Sequence, residues 1–187
     1  MGFIDPALDN QRRNNISDTF QQIYDTQSVT TSHAANSTRE YFQTAANEPG
    51  KKWIPGSGRL PDTMTMIVCS IGVKAYYNDQ TQATALDLAV LGNTELTLTR
   101  NAGAPNFRAI TSSLIFPGGA NTPATTDLPQ FGPGAWNAVI DLPESQQIVL
   151  QQGDLFTVEI KNSEALTLSA TTELQVILSG NLKQYTS

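Results

Sequence analysis

Histidine is almost missing from this chain: His33 is the single one among 187 residues. A metal centre made of two or three imidazoles therefore cannot form within one chain. A Ser-His or Cys-His pair would have to recruit this one residue from the polar stretch "TTSHAAN". Cysteine is as scarce, and Cys69 alone excludes an intrachain disulfide framework and any multi-cysteine metal site. Its setting in "MIVCSIGV" reads as that of a small buried hydrophobe. Charge is thin too, at 15% of the residues where about 25% is usual, and the balance is -6. Holding nucleic acid by neutralising phosphates needs a basic cluster, and the adjacent basic pairs are Arg12-Arg13 and Lys51-Lys52 only. Nucleic acid is not expected as a partner. No apolar run approaches the ~20 residues that span a bilayer, so no membrane span is expected. "MGFIDPALDNQRRNN" lacks the basic start and apolar centre of a secretory signal. The expectation is a protein made and used in a reducing cytosol.

What is present is an uncharged polar surface, rich in Thr, Asn, Gln and Ser, over a core that 39% hydrophobic content can fill once. From Thr63 onward the pattern is β. "TMTMIVCSIGVKAYY" reads as a long strand, apolar on both faces near its centre and so away from a sheet edge. "TELTLTR" alternates cleanly, and "RAITSSLIF", "WNAVIDL", "QQIVL", "DLFTVEI", "LTLS" and "ELQVILSG" add six more runs. In "DLFTVEI", Phe156, Val158 and Ile160 alternate with Thr157 and Glu159, and Gly153-Asp154 supplies the turn that leads in. Ile177 breaks the alternation of the last run and predicts cover on both faces there. "TALDLAVLG" has helical spacing through Leu86, Ala89 and Val90, with Gly92 as its stop. About eight short strands punctuated by Gly and Pro clusters predict an all-β sandwich or barrel over residues 56–187. The long connection from Pro117 to Ala135 is expected to cross between sheets or to cap one end.

Residues 1–55 differ, being polar and poor in aliphatic side chains. In "NNISDTFQQIYDT", Ile16, Phe20, Ile23 and Tyr24 fall at helical spacing behind Asn14 or Asn15 as an N-cap, and a second helix is predicted over 34–46 with Tyr41 and Phe42. Stripes this narrow need a surface to lie on, because short isolated helices are marginal in water. "NEPGKKWIPGSGRLPDT" reads as a linker, with Trp53 as an anchor inside it. The predicted organisation is an N-terminal, partly helical arm (1–55) on a β domain (56–187) that closes its own core. Ile16, Phe20, Ile23, Tyr24, Tyr41, Phe42 and Trp53 are then the candidate subunit-interaction residues.

Motifs for chemistry are sparse. Asp127, Asp141, Glu144 and Asp154 lie near predicted loops, where a pair of carboxylates could serve glycoside hydrolysis, but 17 acidic residues make such proximity easy to reach by chance. "GSGRLP" precedes a strand where a dinucleotide-binding glycine motif follows one, and "EPGKKW" lacks the earlier glycine and the following Ser or Thr of a phosphate loop. No catalytic site, cofactor or metal is predicted.

The second half, "FGPGAWNAVIDLPESQQIVLQQGDLFTVEIKNSEALTLSATTELQVILSGNLKQYT", has a strand ending in Pro, an apolar "IVL", a Gly-Asp turn, an alternating "LFTVEI" and a closing "LQVILSG". In this it resembles single jelly-roll virion proteins of icosahedral viruses, bacteriophages especially, over about residues 60–187. The resemblance implies an eight-stranded jelly-roll β-sandwich whose subunits pack edge to edge in a shell. The implied partners are copies of itself, a trimer among them, and other virion proteins; the place is the virion, after synthesis in the host cytoplasm. An arm that bound genome would be more basic than residues 1–55. The alternative is a carbohydrate- or receptor-binding sandwich on a phage appendage. There Tyr76, Tyr77, Phe131 or Trp136 would stack on sugar rings.

Overall fold

Residues 172–185 are apolar enough near their centre to need cover on both faces, and the strand they form finds one of its edge partners at the far end of the chain. The computed structural model describes residues 15–56, 58–77, 83–92, 94–101, 107–113 and 137–185. Their elements in chain order are β1 (Asn15–Val29), β2 (Ser32–His33), β3 (Thr38–Tyr41), β4 (Ala46–Glu48), β5 (Lys52–Ile54), β6 (Met64–Tyr77), α1 (Ala85–Gly92), β7 (Thr94–Asn101), β8 (Phe107–Ser113), β9 (Asn137–Asp141), β10 (Ile148–Leu150), β11 (Leu155–Asn162), β12 (Leu166–Thr167) and β13 (Thr172–Tyr185). The predicted crossing segment 117–135 lies outside the described residues, as do Phe131 and Trp136.

The pairings spell out the topology. The first strand pairs with the last (β1 with β13), β3 with β11, β6 with β9 and β10 laid end to end along one edge, and β7 with β8, all antiparallel. That is one long folded ribbon. Winding it brings β13 beside β6 and β11 beside β7, giving one sheet ordered β10-β6-β13-β1-β5-β4, with β9 also on β6, and a second ordered β3-β11-β7-β8. This double-sheet arrangement is a β-sandwich, which the strand pattern predicted, with the jelly-roll order that the resemblance implied.

Its membership differs from the prediction. The eight strands include β1 and β3 from the supposed arm, while β9 and β10 count as one broken strand and β12 pairs with β2 outside the two sheets. Neither predicted helix forms: residues 15–29 are a strand in register with β13 from Asn15↔Tyr185 to Val29↔Thr172, and "TREY" is β3. The linker reading is corrected as well, since β4 and β5 form a hairpin around Pro49-Gly50, with Trp53 opposite Tyr24. The reason is long-range pairing: the edges of β13 and β11 need partners, and an extended N-terminal segment satisfies more backbone groups than a marginal helix would.

The core lies between the sheets, where Ile23, Tyr41, Met66, Leu98, Val158 and Leu178 are fully buried. β6 shows why its sequence looked apolar on both faces. Met66 and Val68 point inward, then Ile71, Val73 and Ala75 do, so the phase slips by one residue. Ser179 faces Ser70 and Gly180 faces Val68, which leaves Cys69 as the extra residue of a bulge. Gly180 is needed opposite it: a Cβ there would meet the Ile67 carbonyl oxygen at 1.8 Å. The helix α1 is present as predicted, but it buries Leu88 and Leu91 and leaves Leu86 73% exposed. Thr84 Oγ1 accepts from Asp87 N at 3.3 Å at its start. Asp87, itself buried, accepts from Tyr77 Oη at 2.7 Å and Ser169 Oγ at 2.6 Å, tying the helix to the ends of β6 and β12.

Candidate functional site

The seven residues predicted to meet a neighbouring subunit divide four ways. Ile23, Tyr41 and Phe42 are fully buried in this chain's own core, and the Phe42 ring packs on Phe156 at 5.6 Å, so they are not available for docking. Tyr24 and Trp53 are half-buried cross-strand neighbours. Ile16 lies in β1, its side chain outside the described residues. Of the six whose side chains are described, Phe20 alone is a large exposed group, at 64%.

Phe20 stands on the outer face of the larger sheet. Across the strands it is opposite Asn181, Asn181 is opposite Ile67, and Ile67 is opposite Val149, so one row of cross-strand positions carries three apolar residues, with Val149 37% exposed. Two rows further along, Tyr24, Ile177 and Gly72 are in register. The missing side chain at Gly72 opens a groove of about 310 Å³ lined by Gln22, Ser70, Lys74, Ile177 and Ser179. Ile177, predicted to be covered, is 8% exposed there.

The other half of this face is closed by the β4–β5 hairpin. Gln175 Nε2 donates to Thr26 Oγ1 at 3.0 Å and to the Gly50 carbonyl at 2.9 Å, and Lys51 Nζ approaches Glu173 Oε1 at 3.6 Å. Beneath the flap Tyr76 is 8% exposed and its ionisation is pushed up, first by burial and then by Glu173 nearby. Tyr77 spends its hydroxyl on Asp87 and Thr84. Tyr76, buried, offers no open ring for sugar stacking, and Tyr77 is half-buried against the core.

A second, polar cavity of about 620 Å³ lies at one end of the sandwich between Asn36, Gly92, Thr94, Glu95, Lys161 and Glu164. Asn162 builds its rim. Fully buried, it donates from Nδ2 to the Ala34 and Glu164 carbonyls at 2.8 and 2.6 Å and accepts from Ser37 Oγ at 2.6 Å, pinning the β2–β3 turn to the end of β11.

The remaining groups singled out in the sequence are engaged locally. His33 is half-buried, accepts from Thr30 N at 3.1 Å, and is held below the usual histidine range by burial and then by the charge of Arg39. Asp154 Oδ2 accepts from Arg100 Nε and Gln151 N, both at 2.7 Å. Asp141 and Glu144 are exposed, and Asp127 lies outside the described residues. Cys69, expected to be buried, is half-buried in the bulge. Among the described residues no group of three His, Cys, Asp or Glu side chains could hold a metal ion, and no helix is long and apolar enough to cross a membrane.

No family model matches the chain, and no curated protein matches it. Comparison with solved structures finds a chain in the structure of infectious bursal disease virus, Gt strain, at 8% identity and a TM-score of 0.24. The alignment covers 92% of this chain and 42% of that one, and a superposition this weak carries no argument.

Proposed function

We propose that this protein is a structural subunit of an icosahedral virus shell, assembling with copies of itself through the uncovered half of its larger sheet. The single observation that carries the reading is the row on that face, Phe20, Ile67 and Val149 in register, with Phe20 64% exposed. A large aromatic left in water on a flat sheet, beside a groove, marks a contact surface. The jelly roll is compatible with this role and with many others, so it adds only analogy. A closed homo-oligomer, a trimer in this reading, would cover the row and the open edges of the sheets. The protein has no reaction in this assignment, and its place is the virion.

The test is mass in solution across a concentration series, joined to electron microscopy of the purified protein. Assembly that Phe20→Ser abolishes, with the melting temperature within about 2 °C of the parent as for an exposed substitution, supports the reading. A chain that stays monomeric at high concentration overturns it. The polar cavity at the sandwich end favours a second reading, a sugar-binding module, because Asn36, Thr94, Glu95 and Lys161 could pair with hydroxyls. Specific binding on a glycan array, lost in Asn36→Ala, would move the assignment there.

A further inference from the structure

We infer that Arg39 and Tyr41 form an internal site for one small inorganic anion, at the corner where β3 meets β1. Both side chains point inward from β3, two positions apart, and both are deeply buried, Arg39 at 7% exposure and Tyr41 at 0%. Among the described residues, Nε, Nη1 and Nη2 of Arg39 and the Tyr41 hydroxyl are all without a hydrogen-bond partner. Four unused donor atoms, three of them on a guanidinium that stays protonated at any ordinary pH, therefore share one corner of the core.

Among the described residues no carboxylate lies within ion-pair distance of Arg39. Asp25, on β1, is near enough for its charge to act on Tyr41, but its Oδ2 accepts from Phe42 N at 2.8 Å and its Oδ1, which has no hydrogen-bond partner among the described residues, faces Lys52 Nζ at 3.4 Å. The remaining ion pairs join Lys51 to Glu173, Arg59 to Asp62 and Arg100 to Asp154. A buried cation without a counter-ion is strongly unfavourable, and a guanidinium fork beside a hydroxyl is the donor set that an oxyanion or a halide satisfies. The occupant must be small, because the corner is laced shut by Gln27 Nε2 donating to the Glu40 carbonyl and by the Asp25–Phe42 bond. The lowered ionisation of His33, to which the Arg39 charge contributes, agrees with an excess of positive charge at this corner. None of this depends on assembly, so the site and the shell reading stand or fall separately.

The experiment is thermal unfolding of the full chain at constant ionic strength, with sodium sulfate or sodium chloride replacing the salt of a bulky, weakly coordinating anion. The parent should show a saturable rise, about 5–10 °C at a hundredfold excess over the dissociation constant. Arg39→Met should show only the non-saturable trend that sulfate exerts on any protein, and should melt no lower than the parent when no binding anion is present. Tyr41→Phe should keep the saturable rise but need about tenfold or more anion, the cost of one hydrogen bond to a charged group. If Arg39→Met does not fold, chloride-35 relaxation on the unaltered protein, competed by sulfate, reads the same site. An equal salt response in parent and Arg39→Met, or no saturable response and no competed chloride signal in the parent, overturns the inference.

Discussion

Removing residues 1–29 should abolish folding. The deletion takes away β1, an interior strand of the larger sheet, bonded to β13 on one side and to β5 on the other. It exposes the β13 edge from Thr172 to Tyr185 and removes the fully buried Ile23 and Val29 from the core. Burial of those two side chains is worth about 3–6 kcal/mol together. Leu174, Val176 and Leu178 then lose a cross-strand neighbour, and Phe42 N and Lys52 lose the Asp25 carboxylate they share. A buried amide left unpaired costs a further ~1–3 kcal/mol. Against a total stability of about 5–15 kcal/mol for a domain, these roughly 4–9 kcal/mol, with the unpaired β13 edge added to them, take most of what holds the domain folded. Circular dichroism and a melting scan of residues 30–187 should show no cooperative transition at 25 °C. If the truncated chain melts cooperatively within about 5 °C of the parent, the strand is dispensable and the division into an accessory arm and a self-sufficient domain is restored.

Two further outcomes follow from single positions. Gly180→Ala drives a methyl group into the Ile67 carbonyl across the bulge, so the melting temperature should fall by about 4–10 °C, and an unchanged value would mean that the bulge yields freely. Burial pushes the ionisation of the Tyr41 hydroxyl up, while a tyrosine in the unfolded chain ionises near pH 10; the stability it confers is whole below about pH 10 and is lost as pH rises past it. Urea midpoints from pH 9 to 11 should therefore fall more steeply for the parent than for Tyr41→Phe, and parallel curves would refute the assignment.

The C-terminal strands were legible because each carries its own signal. Phe156, Val158 and Ile160 alternate with polar residues and are buried in that phase. β1 hid because its inward face is only partly apolar: Asp25 follows Ile23 inward, held by a backbone amide and Lys52, and the outward Phe20 and Tyr24 complete a false helical spacing. Alternation cannot be seen where a buried carboxylate stands in an apolar place, and the partner that makes β1 a strand begins more than a hundred residues later. The apolar row on the outer face was missed for a similar reason, since Phe20, Ile67 and Val149 come from three distant segments and only the register joins them. Phe20 was named as an interaction residue, though for a helix that does not exist. Arg39 and Tyr41 show no local sign of an anion site, because what marks them is the absence of partners after folding.

The pairing of first strand with last also sets a clock. At a synthesis rate of roughly 5–20 residues per second, β1 leaves the ribosome about seven to thirty seconds before β13 exists to receive it. Through that interval the inward groups of β1 and β6 face water or a chaperone, and the interior of the larger sheet closes only when the final strand slides between the two. Contacts this distant in sequence make folding slow, and the exposed edges of the waiting strands are open to the same edges on another nascent chain. A finished chain and a half-made one thus present different surfaces, and the row of Phe20, Ile67 and Val149 comes into line only after the last strand is in place. Translation itself keeps unfinished copies from presenting that row.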